Sequence, residues 1–129
     1  MKDPFGNRQI AQRKLPSMIF DFIDGGTGRE TAQLRNETAL QQISLQARVL
    51  RSVEDISCKT EFLGTDYAMP FGIAPMGMCN LIAARADEAL SKEAAQRNIP
   101  HCVSTAASTT MEQSQKDAKG RAWVQLYAG

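Results

Sequence analysis

Histidine is nearly missing from this sequence: His101 is the only one among 129 residues. A metal centre would therefore have to be built mostly from carboxylates or thiolates, and no cluster of either stands out, so no metal is expected. Cysteine is also scarce. Cys58, Cys79 and Cys102 are odd in number and far apart, which fits neither a metal pattern nor a disulfide framework. They read as reduced thiols of a cytoplasmic protein, with peripheral attachment to the inner membrane left open. Net charge is lacking too. The formal value is +1 with signs mixed along the chain, so no field points to nucleic acid or acidic lipid. No apolar run approaches the roughly 20 residues that span a bilayer. The opening MKDPFGNRQIAQRK has no long apolar stretch, so a secretory signal is not expected. There is no internal repeat and no low-complexity segment.

What is present is an ordinary globular composition, 43% apolar and 22% charged, in a length that suits one domain. In KLPSMIFDFIDGG, residues Leu15, Met18, Ile19, Phe22 and Ile23 fall on one helical face. Pro16 suits the first turn of that helix and Gly25-Gly26 its end. RETAQLRNETALQQI predicts a second helix, with Leu34, Ala39, Leu40 and Ile43 as a partial stripe. ISLQARVL, 43–50, reads as extended. DISCKTEFLGTDYAMP alternates weakly around Gly64 and Asp66, which predicts a small hairpin.

From Pro70 the pattern changes. FGIAPM, PHCVSTA and AWVQLYAG read as short strands. ADEALSKEAAQRN and TTMEQSQKDAKG between them read as helices. The first has Asp87 and Glu88 near its positive end and Arg97 near its negative end. The second takes Thr109 or Thr110 as N-cap and Gly120 as its stop. This alternation predicts βαβ units and a parallel sheet, with strands apolar on both faces because both faces are covered. Three strands are thin for an independent sheet, and AWVQLYAG needs a neighbour on its far edge. The expectation is an N-terminal part of a larger α/β protein, or a piece that needs a partner.

In a parallel α/β fold, ligands meet the loops after the strands' C-terminal ends. Those loops here hold Pro75-Met76-Gly77, then Ser104-Thr105-Ala106, then Gln125-Leu126-Tyr127. Small residues admit a flat ligand close to the backbone, and a hydroxyl and an amide can bond the edge of a heterocycle. The set suits a flavin or a similar planar cofactor better than a metal.

Five segments in this order, KLPSMIFDFIDGG, RNETALQQISLQARVL, MPFGIAPMGM, VSTAAS with TMEQ, and WVQLY, resemble the FMN-dependent 2-hydroxy acid oxidases and dehydrogenases. That family includes glycolate oxidase, cytochrome-type L-lactate dehydrogenase and mandelate dehydrogenase. The resemblance runs from about residue 11 to 129. It implies the N-terminal part of a TIM (β/α)8 barrel: roughly the first three parallel strands over 70–129, preceded over 1–69 by helices and a small hairpin that cap it. A whole barrel takes about 250 residues. The cofactor implied is FMN, and the substrate a small 2-hydroxy acid such as L-lactate, oxidised to the 2-oxo acid. The partners implied are the remainder of the barrel and, for the full-length protein, further copies of itself.

By the same resemblance Pro75, Met76 and Gly77 lie against the flavin, Ser104 and Gln125 bond its ring edge, and Tyr127 faces substrate or flavin. Phe22 stands where the family has a tyrosine that binds the substrate carboxylate, and a phenylalanine cannot donate that bond, so packing is the expected role. Ala83-Ala84-Arg85-Ala86-Asp87 replaces a His-Pro-x-Gly-Glu segment, and Ala106 an aromatic that borders the substrate pocket. The family's catalytic histidine, arginines and lysine fall beyond residue 129, so no catalytic residue is expected within this chain. His101 begins a strand, at the end away from the ligand loops, and is expected to be structural or at the surface. The alternatives are a non-catalytic degenerate fragment and part of another FMN-dependent barrel.

Overall fold

The computed structural model describes residues 4–128, which divide into two compact units, one ending at Glu54 and the other beginning at Asp55. The hairpin thus falls with the later strands, whereas a boundary at 69/70 would group it with the helices.

The first unit holds α1 (Pro4–Lys14), α2 (Ser17–Asp24) and α3 (Thr31–Gln41). The sequence did not announce α1, which has little apolar periodicity. Proline at its first position was the available signal, because a first-turn residue needs no N–H donor. Pro16 is the N-cap of α2 rather than a residue of its first turn. Arg8 donates to both carboxylate oxygens of Asp24, each at 2.6 Å, and its guanidinium stands over the Phe20 ring at 5.8 Å. Phe20 is the buried residue of α2. Met18, Phe22 and Ile23, on the expected apolar face, are exposed, as are Leu34 and Leu40 of α3. Residues 43–50, expected to be extended, form no strand.

In the second unit β1 (Thr60–Phe62) and β2 (Thr65–Tyr67) form the expected antiparallel hairpin. Gly64 turns it with φ +71, a left-handed value that glycine adopts without cost. There follow a short 3-10 turn (Cys79–Leu81), α4 (Ala86–Arg97), β3 (His101–Val103), α5 (Met111–Asp117) and β4 (Ala122–Val124). The strong helix formers of α4 carry acids in the first turn and Arg97 in the last. Asn98 ends the helix in the left-handed conformation, φ 51. Thr110 caps α5, its Oγ1 accepting from the Gln113 N–H at 3.2 Å.

β3 and β4 pair in parallel, with His101 opposite Ala122 and Val103 opposite Val124. The expected first strand, FGIAPM, is reduced to a single parallel bridge between Ile73 and His101. The Ile73 N–H donates to Pro100 O at 2.8 Å and the Cys102 N–H to Ile73 O at 3.0 Å. Pro75 and Pro100 have no N–H to extend this ladder. The expected long third strand is likewise only three residues. Val103, Ala118 and Ala122, with Ala107 against them, make the apolar core between sheet and helices. Alternation turns Cys102 and Trp123 the other way, onto an apolar cavity of about 510 Å³ that Phe62, Phe71, Ile73 and Pro100 also line.

Candidate functional site

Parallel pairing sends the loops after Ile73, β3 and β4 off the same end of the sheet. The Met78 N–H donates to Ala106 O at 2.9 Å, which ties the first loop to the second. Gly77 makes that approach possible: a Cβ there would stand 3.2 Å from Ala106 Cβ. Met78 next to it takes φ 54, an uncommon value for a residue with a side chain. Ser104 is buried, and its hydroxyl donates to Gln125 Oε1 at 3.1 Å while accepting from the Ala106 N–H at 3.1 Å. The Gln125 N–H donates to Val103 O at 2.9 Å, so the residue is fixed at backbone and side chain together.

The Ser104 bond decides which way the Gln125 amide faces. Oε1 is held by the serine, and the amide nitrogen engages no protein acceptor among the described residues. It remains a donor with two hydrogens. The one proton of Ser104 is thereby committed to Gln125. Met76 is half-exposed, and Tyr127 is exposed at 71%. Phe22 lies in the first unit and is also exposed. Pro75 reaches the apolar cavity, and it is the one predicted cofactor residue that does.

Sequence reasoning missed a polar knot behind these loops. Asp87 on α4 is buried, and its Oδ2 accepts from the Ser108 N–H at 2.7 Å. The Asp87 N–H donates to Asn80 Oδ1 at 3.4 Å, and the Asn80 N–H to Ser108 Oγ at 3.4 Å. The sequence showed Asp87 only as a charge suited to a helix start. Nothing in the spacing of Asn80, Asp87 and Ser108 could announce their meeting. Nearby, burial and the Asp87 carboxylate push the Cys79 thiol up to about 11. His101 is buried at the start of β3, and that burial holds its pKa below the ordinary histidine range against the pull of Asp87. The site is thus a pair of clamped loops, an oriented amide and a side-chain-poor turn, with no general base among them.

Residues 11–129 match the FMN-dependent dehydrogenase family. The chain belongs to that family. The L-lactate dehydrogenase of Pseudomonas syringae pv. syringae is 37% identical over 120 residues, which cover 93% of this chain and 32% of the relative. The corresponding enzyme of Stenotrophomonas maltophilia is 38% identical with the same coverage. Among solved structures, a soluble mutant of the membrane-associated (S)-mandelate dehydrogenase from Pseudomonas putida superposes with a TM-score of 0.85 at 32% identity, covering 93% of this chain and 34% of the other. A mandelate oxidase variant carrying a C4a-OH-FMN adduct gives 0.85 at 30%, over 94% and 37%. The structural neighbours are FMN-dependent TIM-barrel enzymes, and the chain spans about a third of the length of these and of the sequence relatives. No helix of the described residues is long and apolar enough to cross a membrane.

The donor set fits the family's cofactor. A free amide N–H pair on Gln125, a hydroxyl behind it and a turn without bulk at Gly77 offer bonds and close backbone approach to a flat heterocycle.

Proposed function

We propose that residues 70–128 form the flavin-facing opening segment of an enzyme that oxidises a small 2-hydroxy acid, such as L-lactate, to the 2-oxo acid. The observation that carries this is the Ser104–Gln125 hydrogen bond across the ends of two parallel strands, which leaves the Gln125 amide nitrogen without a protein acceptor among the described residues. Bound FMN supplies the electron-accepting chemistry, and the protein orients it. Within this segment Gln125 holds the ring edge, Ser104 orients Gln125, and Met76 and Gly77 offer the backbone to the ring. Tyr127 reaches toward substrate, and Phe22, exposed on α2, contributes no hydroxyl to it.

The chemistry of proton abstraction and carboxylate binding is assigned to residues outside this chain, so the 129-residue chain by itself does not turn over substrate. The exposed Val124, Leu126 and Tyr127 and the open apolar cavity support this, since a finished barrel covers such surfaces with its remaining strands.

The test is to express the gene through the end of the barrel and titrate it anaerobically with L-lactate, (S)-mandelate and glycolate. Bound FMN that one of these acids bleaches is expected, together with loss of the flavin in Gln125→Leu. A product that binds no FMN, or a bound flavin that no 2-hydroxy acid reduces, overturns the proposal.

A further inference from the structure

Asp87 lies outside the residues that face the cofactor, yet it touches both loops that do. Its buried Oδ2 accepts the Ser108 N–H at 2.7 Å, the shortest bond of the knot. Its own N–H is held by Asn80, in the loop after Ile73, and Asn80 in turn bonds Ser108 in the loop after β3. The two loops are joined again farther forward by the Met78 N–H on Ala106 O. Ala106 also donates to the Ser104 hydroxyl that orients Gln125. Two sets of hydrogen bonds, joined by the backbone of Ala106–Ser108 and of Met78–Asn80, therefore lie between Asp87 and the Gln125 amide. A carboxylate accepting a backbone N–H is a charge-assisted hydrogen bond, stronger than one between neutral groups.

We propose that Asp87 is a positioning residue for the cofactor: its carboxylate clamps the loop after Ile73 to the loop after β3 and thereby sets the direction of the Gln125 amide and the height of the Met76–Gly77 backbone. The cofactor half of this inference rests on the functional reading above, while the clamp itself does not.

Two measurements separate them. Amide hydrogen exchange on the flavin-free chain reads the clamp. Asp87→Ala is expected to expose the Ser108 and Met78 amides while the Gln125 amide of the β3–β4 ladder stays protected. Asp87→Asn keeps an acceptor oxygen and is expected to restore protection. Unchanged protection of Ser108 in Asp87→Ala overturns the clamp. The second measurement follows FMN affinity and the visible circular dichroism of the bound flavin in the full gene product. Asp87→Ala is expected to weaken FMN binding by about tenfold, the loss of one buried charged hydrogen bond, and to alter the dichroism, with Asp87→Asn recovering most of both. Arg121→Leu is the control: it removes a bond to Asp66 O at the opposite end of the strands and is expected to lower stability without changing the flavin signal. Wild-type affinity and dichroism in Asp87→Ala, or equal changes in Arg121→Leu, overturn the positioning role. A wild-type product that takes up no FMN sinks the functional reading and the cofactor half with it, and the exchange result still decides the clamp.

Discussion

Replacing Gly72 with alanine probes how the chain before Ile73 is held against β3. A Cβ built on Gly72 lies 2.3 Å from Pro100 O, 2.7 Å from Pro100 Cβ and 2.9 Å from Pro100 C. Ordinary contacts begin near 3.4 Å, so the two backbones must part by about 1 Å. Two of the three atoms are backbone and the third belongs to the proline ring, so no flexible side chain can yield instead. The same two segments share the Ile73 N–H bond to Pro100 O at 2.8 Å and the Cys102 N–H bond to Ile73 O at 3.0 Å. A displacement of that size breaks the first and weakens the second. Each contributes about 1 kcal/mol net, and the crowding adds about 1–3 kcal/mol. Gly72→Ala is therefore expected to cost about 2–4 kcal/mol. Urea unfolding should show a lower midpoint with an unchanged slope, and amide exchange should quicken at Ile73 and Cys102 while Gln125 stays protected. A stability within about 0.5 kcal/mol of wild type, with both amides still protected, would refute the reasoning. Gly77→Ala is the internal comparison. Its nearest neighbour is the Ala106 methyl at 3.2 Å, so a few tenths of an ångström suffice and the expected cost is below about 1 kcal/mol.

Thr110→Ala removes the N-cap acceptor of α5 and is expected to lower stability by about 1 kcal/mol in chemical denaturation, with Thr110→Ser restoring most of it. Cys79, buried and with its thiol pushed up to about 11, should resist alkylation at pH 8 under native conditions, whereas exposed Cys58 reacts; peptide mass spectrometry after timed labelling reads the difference, and fast labelling of Cys79 would contradict its burial. Burial lowers the pKa of His101, so below its ordinary value of about 6.5 the unfolded chain binds a proton that the folded chain resists. The stability present above that pH should fall as pH drops through the window beneath it, and the slope should flatten in His101→Asn. An identical slope in the variant would remove His101 as its source.

The helices of the second unit were legible because their signals are local. In α4, good helix formers with acids first and arginine last favour the helix wherever it lies, and Thr110 caps α5 through a bond to its own neighbour. The hairpin was legible because Gly64 admits the backbone angle that its turn requires. Strand direction followed from the helices between the strands, since a helical crossover brings the next strand in parallel. Strand length did not follow. An apolar run shows that a segment can be buried, but a ladder needs a partner with free N–H groups, and Pro75 and Pro100 remove them on either side of the Ile73 bridge. On α2 the periodicity named a face that includes Phe22, whereas Phe20 is the buried side chain, against Arg8 of another helix.

The candidate site divides in the same way. Sequence by itself determined which residues follow the strands and what each can donate or accept: Gly77, Ser104, Gln125 and Tyr127 have those places because the order of strand and helix is set by local signals. Only the tertiary structure decided that the Ser104 proton goes to Gln125 Oε1, and that Asp87, Asn80 and Ser108 form one knot behind the loops. The reason is physical. A hydrogen bond is a matter of about 3 Å and an angle, and residues 21 or 28 positions apart acquire such a distance only when separate elements pack; no spacing along the chain encodes it.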